Sequence, residues 1–141
     1  MRTMSAEEWR SFVMAGTRTG KLATVRADGC PHVAPVWFVL DGEEVVFTTD
    51  ANTVKGVNLS RTGRAALCVD EETPPFAYVL LEGNVSISSD PGDLLRWATA
   101  VGGRYMGANR ADEFGRRNGV PGELLVRLRP DKVVALAGIA D

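Results

Sequence analysis

The runs Lys21-Leu22-Ala23-Thr24-Val25-Arg26, Val33-Ala34-Pro35-Val36-Trp37-Phe38-Val39-Leu40 and Val45-Val46-Phe47-Thr48-Thr49 are separated by Asp28-Gly29 and Asp41-Gly42. Each run is rich in β-branched and aromatic residues, and Asp-Gly is a strong hairpin-turn signal. The spacing predicts a meander of three antiparallel strands. Working outward, further strands are expected at 64–69, 77–88, 124–128 and 133–136, with Gly83 marking a bulge and Pro130-Asp131 a turn. Seven strand candidates in largely antiparallel order point to a small closed or split barrel of at least six strands, because closure removes exposed edges. An open sheet with helices on one face is the alternative. The fold class is mainly β with peripheral helices.

Helices are expected at three places. Ser5 and Glu8 have capping-box spacing, and Met4 with Trp9 makes a hydrophobic staple, so a helix should run to about Met14 and stop at Gly16. A short turn of helix over 53–60 would be opened by Asp50 or Asn52. Ser89-Asp90-Pro91 starts a third, whose stripe of Leu94, Leu95, Trp97, Ala98 and Val101 ends at Gly102-Gly103. The segment 105–119 reads as partly helical.

The 141 residues suffice for one domain with a real core. An apolar fraction of 45%, a charged fraction of 24% and a net charge of −2 fit an ordinary globular chain. The absence of a basic field argues against a nucleic-acid binder. No apolar run is long enough to cross a bilayer and the N-terminus lacks a signal-peptide core, so a cytoplasmic location without a membrane partner is expected. Cys30 and Cys68 read as buried reduced thiols, with a disulfide or redox pair as the alternative.

Few residues fit familiar catalytic arrangements. His32 is the single histidine, and with no neighbouring ligand set it reads as structural rather than as half of a metal site. Glu43-Glu44 and Glu71-Glu72 sit beside turns, where solvated charge explains them. The stretch 48–64 is more informative. Thr48 and Thr49 end a strand, a helix follows, and Lys55, Asn58, Arg61 and Arg64 lie on or beside it. Hydroxyls, helix N–H groups and a lysine together can hold a phosphate, with Lys55 and Asn58 sharing a helix face. A solvated basic helix face explains the same residues equally well. Pro35 inside a strong strand marks an edge or bulge, either offering free backbone groups to a ligand or guarding against aggregation. Trp37, Phe76, Tyr78, Trp97 and Tyr105 suit a core, an interface or stacking on a planar cofactor.

In order, the segments from Leu22 to Gly42 and from Phe47 to Leu59 closely resemble the pyridoxamine 5′-phosphate oxidase-like split barrels. The most specific part is the series Asp28-Gly29-x-Pro31-His32, Pro35-Val36-Trp37 and Lys55-x-x-Asn58. Within that superfamily the chain resembles small actinobacterial proteins classed as coenzyme F420-dependent oxidoreductases. The resemblance extends over nearly the whole chain, including Arg104-Tyr105-Met106-Gly107. It implies a six-stranded antiparallel split β-barrel of the FMN-binding type, a homodimer with cofactor sites between subunits, and a small-molecule substrate.

The resemblance implies that Thr48, Thr49, Lys55 and Asn58 hold the cofactor's phosphate. The ring system would lie along Val33, Pro35, Val36 and Trp37, with Phe76 and Tyr78 contributed by the partner subunit. Arg61 and Arg64 would supply charge for the acidic tail of F420, and Arg104 and Tyr105 would border the substrate. FMN is the alternative cofactor. A non-catalytic holder of F420, flavin or haem is the alternative function.

Overall fold

The computed structural model describes residues 1–141. In chain order the elements are β1 (Arg2–Thr3), α1 (Ala6–Met14), β2 (Gly20–Val25), β3 (Pro31–Val36), β4 (Val39–Asp41), β5 (Glu44–Asp50), α2 (Val54–Thr62), β6 (Arg64–Glu71), β7 (Ala77–Ser88), α3 (Pro91–Met106), α4 (Ala111–Asn118) and β8 (Glu123–Ala137). All eight strands join one antiparallel sheet, ordered β3-β2-β6-β7-β8-β5-β4, with β1 on β8. No helix is long and apolar enough to cross a membrane.

The expected three-strand meander is replaced by two hairpins. The run 33–40 breaks at Trp37-Phe38, so its first part pairs with β2 and its second with β5. β3 and β4 therefore occupy opposite edges of the sheet while remaining only two residues apart in the chain. The two edges do not pair with each other, so the sheet is left unclosed between them, and that gap is the split in the barrel. At the break, Phe38 has no strand neighbour for its peptide groups. Its N–H donates to Tyr105 Oη at 3.2 Å, and its carbonyl accepts from Arg104 Nη1 at 2.7 Å.

Further differences have local causes. Thr53, not Asp50 or Asn52, caps α2, its hydroxyl accepting from Gly56 N–H. α3 runs through Gly102-Gly103 to Met106 because these glycines allow α4 to approach. A Cβ on Gly102 would stand 2.6 Å from Phe114 Cβ. Pro130-Asp131 is not a turn, since β8 is one long strand. The bulge anticipated at Gly83 is real: Gly83 faces Pro130 while Glu82 faces Lys132, so Asp131 is the extra residue. A proline at a bulge forfeits no ladder bond.

The N-terminal helix forms as its capping box predicts, with reciprocal Ser5 and Glu8 bonds. Its Trp9 and Val13 plug the barrel and join Leu22, Phe38, Phe47 and Leu67 in the main core. A second cluster, including Val46, Trp97 and Val101, lies between the outer sheet surface and α3.

Candidate functional site

The split opens onto a cleft of about 340 Å³. One wall is Pro35, Val36 and Trp37 at the end of β3. The floor is Thr48, Thr49 and Asp50, where β5 runs out, and Thr53 and Lys55 at the start of α2. Val101, Asn118 and Glu123 complete the lining. Thr48, Thr49 and Asp50 are registered against Leu125, Leu124 and Glu123, so sheet pairing brings Glu123 beside the β5 end.

Trp37 is held rather than free to swing. Its ring stacks on Tyr105 at 5.1 Å with planes 6° apart and tilts against Phe114 at 5.9 Å. Tyr105 is fixed in turn by donating to Arg18 O at 2.7 Å. Arg104 bridges the carbonyls of Val13, Gly16, Arg18 and Phe38, tying the end of α1 to the break. Burial lowers the Arg104 pKa and raises that of Tyr105. These residues therefore support the Trp37 wall. Neither residue lines the cleft itself.

The hydroxyls at the floor are unequal. Thr53 Oγ1 donates to Asp50 O at 2.8 Å, and the Thr49 and Thr53 hydroxyls are 3.1 Å apart. A hydroxyl has one proton, so with Thr53's committed to Asp50 the Thr49 hydroxyl is the donor between them. Thr49 then offers a ligand only lone pairs. The Thr48 hydroxyl is free. Of the three lysines, Lys21 and Lys132 pair with Asp70 and Glu82, leaving Lys55 without an ion-pair partner. Facing it, Glu123 has its pKa raised, first by burial and then by Asp50, with Lys55 partly opposing.

The remaining sequence candidates lie elsewhere. Asn58 is 3% exposed and turns into the barrel, where its amide donates to Thr24 Oγ1 at 3.0 Å and accepts from Arg61. It does not share the Lys55 face toward the cleft, because burying an amide without those partners would be costly. Arg61 also donates to Val25 O, and Arg64 pairs with Asp131 and Asn84, so both guanidiniums are engaged away from the cleft. Val33 is exposed on the outer side of β3 opposite Ala23. Tyr78 and Phe76 lie at the far end of β8, where Tyr78 is registered with Leu136, and neither lines this cleft.

Sequence reading missed Glu123 and Asn118 as cleft residues. Nothing local marks them, since register and helix packing bring them in. Thr53 was discoverable as a threonine directly preceding a helix.

The geometry matches known proteins. A conserved hypothetical protein from Mycobacterium tuberculosis is 30% identical, with a TM-score of 0.83, covering 96% of this chain and 86% of its own. A protein described as an F420 reductase is 28% identical, with a TM-score of 0.68 and coverages of 87% and 94%. The haem storage protein of Vibrio cholerae shares the fold at 20% identity and a TM-score of 0.74, covering 98% and 100%. A comparison with curated proteins finds no match. The model of the pyridoxamine 5′-phosphate oxidase family matches residues 5–137, a span that includes both edges of the split and the whole cleft floor, and the chain belongs to that family.

Proposed function

We propose that the protein is a cytoplasmic, F420-dependent oxidoreductase that works as a homodimer and reduces an unsaturated or electrophilic organic acceptor. The observation that carries this reading is the single unpaired lysine, Lys55, beside the free Thr48 hydroxyl in a cleft walled by a fixed indole. The donors suit a phosphate and the wall suits a flat ring system. The similarity to an F420 reductase favours the deazaflavin over FMN.

Lys55 and Thr48 would hold the phosphate, and Pro35, Val36 and Trp37 would flank the ring. When bound, a reduced deazaflavin supplies a hydride equivalent, which is why the chain needs no nucleophile of its own. The residues of the chain bind, orient and shield. Tyr105 and Arg104 fix the Trp37 wall, so alignment does not depend on ordering a mobile loop at each turnover. A proton for the product comes from solvent or from the acceptor.

Dimerisation is supported by an outer sheet face that α3 and α4 leave uncovered. Val33, Ala23, Ala66 and Glu82 form one row across it, and Pro35, Lys21, Cys68 and Leu80 another. Small apolar side chains stand there beside charged ones, a mixture that suits an interface between two copies of the chain. In such a dimer the family resemblance assigns Phe76 and Tyr78 to the partner's site, and neither lines the cleft of its own chain.

Titration of F420 into the wild type and Lys55→Ala tests the site. Loss of a charge-assisted bond worth about 1.5–3 kcal/mol predicts affinity about 10- to 100-fold weaker in the variant. Unchanged affinity would refute the assignment. Reduction of members of an acceptor panel by the loaded wild type separates an enzyme from a holder, and sedimentation reads the dimer.

A further inference from the structure

Phe76 is the one residue other than glycine with a positive φ, +66°. For a bulky side chain that conformation is strained and persists only where the surroundings impose it. Pro74 and Pro75 fix the chain leading into it, and its N–H donates to Thr73 O at 2.9 Å. From the other side comes the turn Gly138–Asp141, closed by Asp141 N–H donating to Gly138 O at 3.2 Å. This turn supplies two donors, Ile139 N–H to Phe76 O at 3.2 Å and Ala140 N–H to Pro75 O at 2.9 Å. Burial does not offset the strain, because Phe76 remains 39% exposed. A glycine would meet the same backbone demand without strain, so the reason for this residue lies in its ring.

The strand register shows where that ring can act. Pro35, in the cleft wall, also begins the outward row Pro35, Lys21, Cys68 and Leu80, so the cleft opens at the margin of the uncovered sheet face. One step past Val36, Trp37 comes level with Asp70 and its pairing partner Tyr78. The end of β3 and the start of β7 therefore stand at one level on opposite sides of this face, with β2 and β6 between them. A two-fold axis running along the strands between β2 and β6 lays the β7 of a second copy over β3 and brings its residues 76–78 to the cleft. We propose that Phe76 is a preset aromatic finger that a second copy of the chain receives against the flat ring of its bound cofactor, and that the Gly138–Asp141 turn is the device that positions it. The proposal rests on the reading of the protein as a homodimer with a cofactor in this cleft. Phe76 then contacts the ring from the partner's side, opposite the Trp37 wall, and the Ile139 and Ala140 N–H groups act only through its backbone. A finger fixed beforehand loses little conformational freedom when the cofactor arrives.

Mixed dimers test the contact across subunits. F420 is titrated into wild type, Lys55→Ala, Phe76→Gly and a heterodimer of these two variants, co-expressed under two tags and purified by both. Loss of one aromatic contact predicts affinity about three- to tenfold weaker in Phe76→Gly, with Phe76→Leu as the second ring deletion should the glycine variant fail to fold. Phe76→Tyr, which keeps the ring, should stay within about twofold of wild type. One of the heterodimer's two clefts joins an intact Lys55 to the partner's intact Phe76, so half of its sites should recover wild-type affinity. Were Phe76 to act on its own chain's cleft, neither would. Ile139→Pro and Ala140→Pro each remove one donor, and each should weaken F420 binding when Phe76 is present but not in Phe76→Gly, a non-additivity that a merely structural role does not produce. Unchanged affinity in both ring deletions, or a heterodimer with no recovered site, overturns the finger. Proline variants without effect, or with effects that add to that of Phe76→Gly, overturn the role of the turn. A monomeric wild type, or F420 affinity that is absent or indifferent to Lys55→Ala, overturns the proposal together with the reading on which it rests.

Discussion

Replacing Arg104 by Met should destabilise the protein substantially, although the residue touches no wall of the cleft. Its guanidinium holds Phe38 O and Val13 O, each at 2.7 Å, and makes longer bonds to Gly16 O and Arg18 O at 3.1 and 3.3 Å. Hydrogen bonds to charged groups contribute about 1.5–3 kcal/mol each, and the part-buried position argues for the lower end. Counting only the two short bonds gives a loss of about 3 kcal/mol. The longer pair is set against the desolvation that lowers the Arg104 pKa and is recovered when the charge is removed. For a chain of this length the loss corresponds to a fall in Tm of about 10 °C. Thermal unfolding followed by circular dichroism, with urea titration at constant m, measures it. Arg104→Lys should recover only a minor part, because an ammonium cannot span four carbonyls arranged around a planar fork. A loss below about 1 kcal/mol in the Met variant would refute the account of Arg104 as the clamp on the split.

Two further perturbations probe the bulge and the cleft. Gly83→Ala drives a Cβ into the carbonyl oxygen of Arg129 across the bulge, so a loss of about 2 kcal/mol or more is expected in urea unfolding, and a neutral result would contradict the close approach. Glu123 has a folded pKa raised above 4.5, so its ionised form opposes folding at neutral pH, and this opposition fades as pH falls through the raised value. Glu123→Gln should therefore melt higher than wild type near pH 7 and at the same temperature near pH 4, whereas a pH-independent difference would remove the titration argument.

Much of the secondary structure is legible from short-range chemistry. Ser5 with Glu8 announces α1, and both Asp-Gly pairs lie between paired strands because each supplies a left-handed glycine, Gly29 and Gly42. The proline in β3 and the threonines ending β5 identify the two walls that later form one cleft. Local pattern misleads where another element supplies the reason for a residue. Gly102-Gly103 resembles a helix stop, yet it permits contact with α4, and Pro130 resembles a turn, yet it occupies a bulge. Likewise Asn58 resembles a partner of Lys55 because both lie on one short helix, but the barrel claims its amide.

The sequence by itself determined that the chain is β-rich, helix-capped at its start and equipped with a lysine and hydroxyls after a strand, because turns, caps and alternation depend on neighbours within a few residues. Only the tertiary structure decided that the run 33–40 divides between two sheet edges and that Arg104 and Tyr105 hold the division. It also placed Glu123 opposite Lys55 and directed the Thr49 proton toward Thr53. These are questions of register and of which acceptor a given proton meets, and they are answered only when distant segments compete for the same space and the same hydrogen bonds.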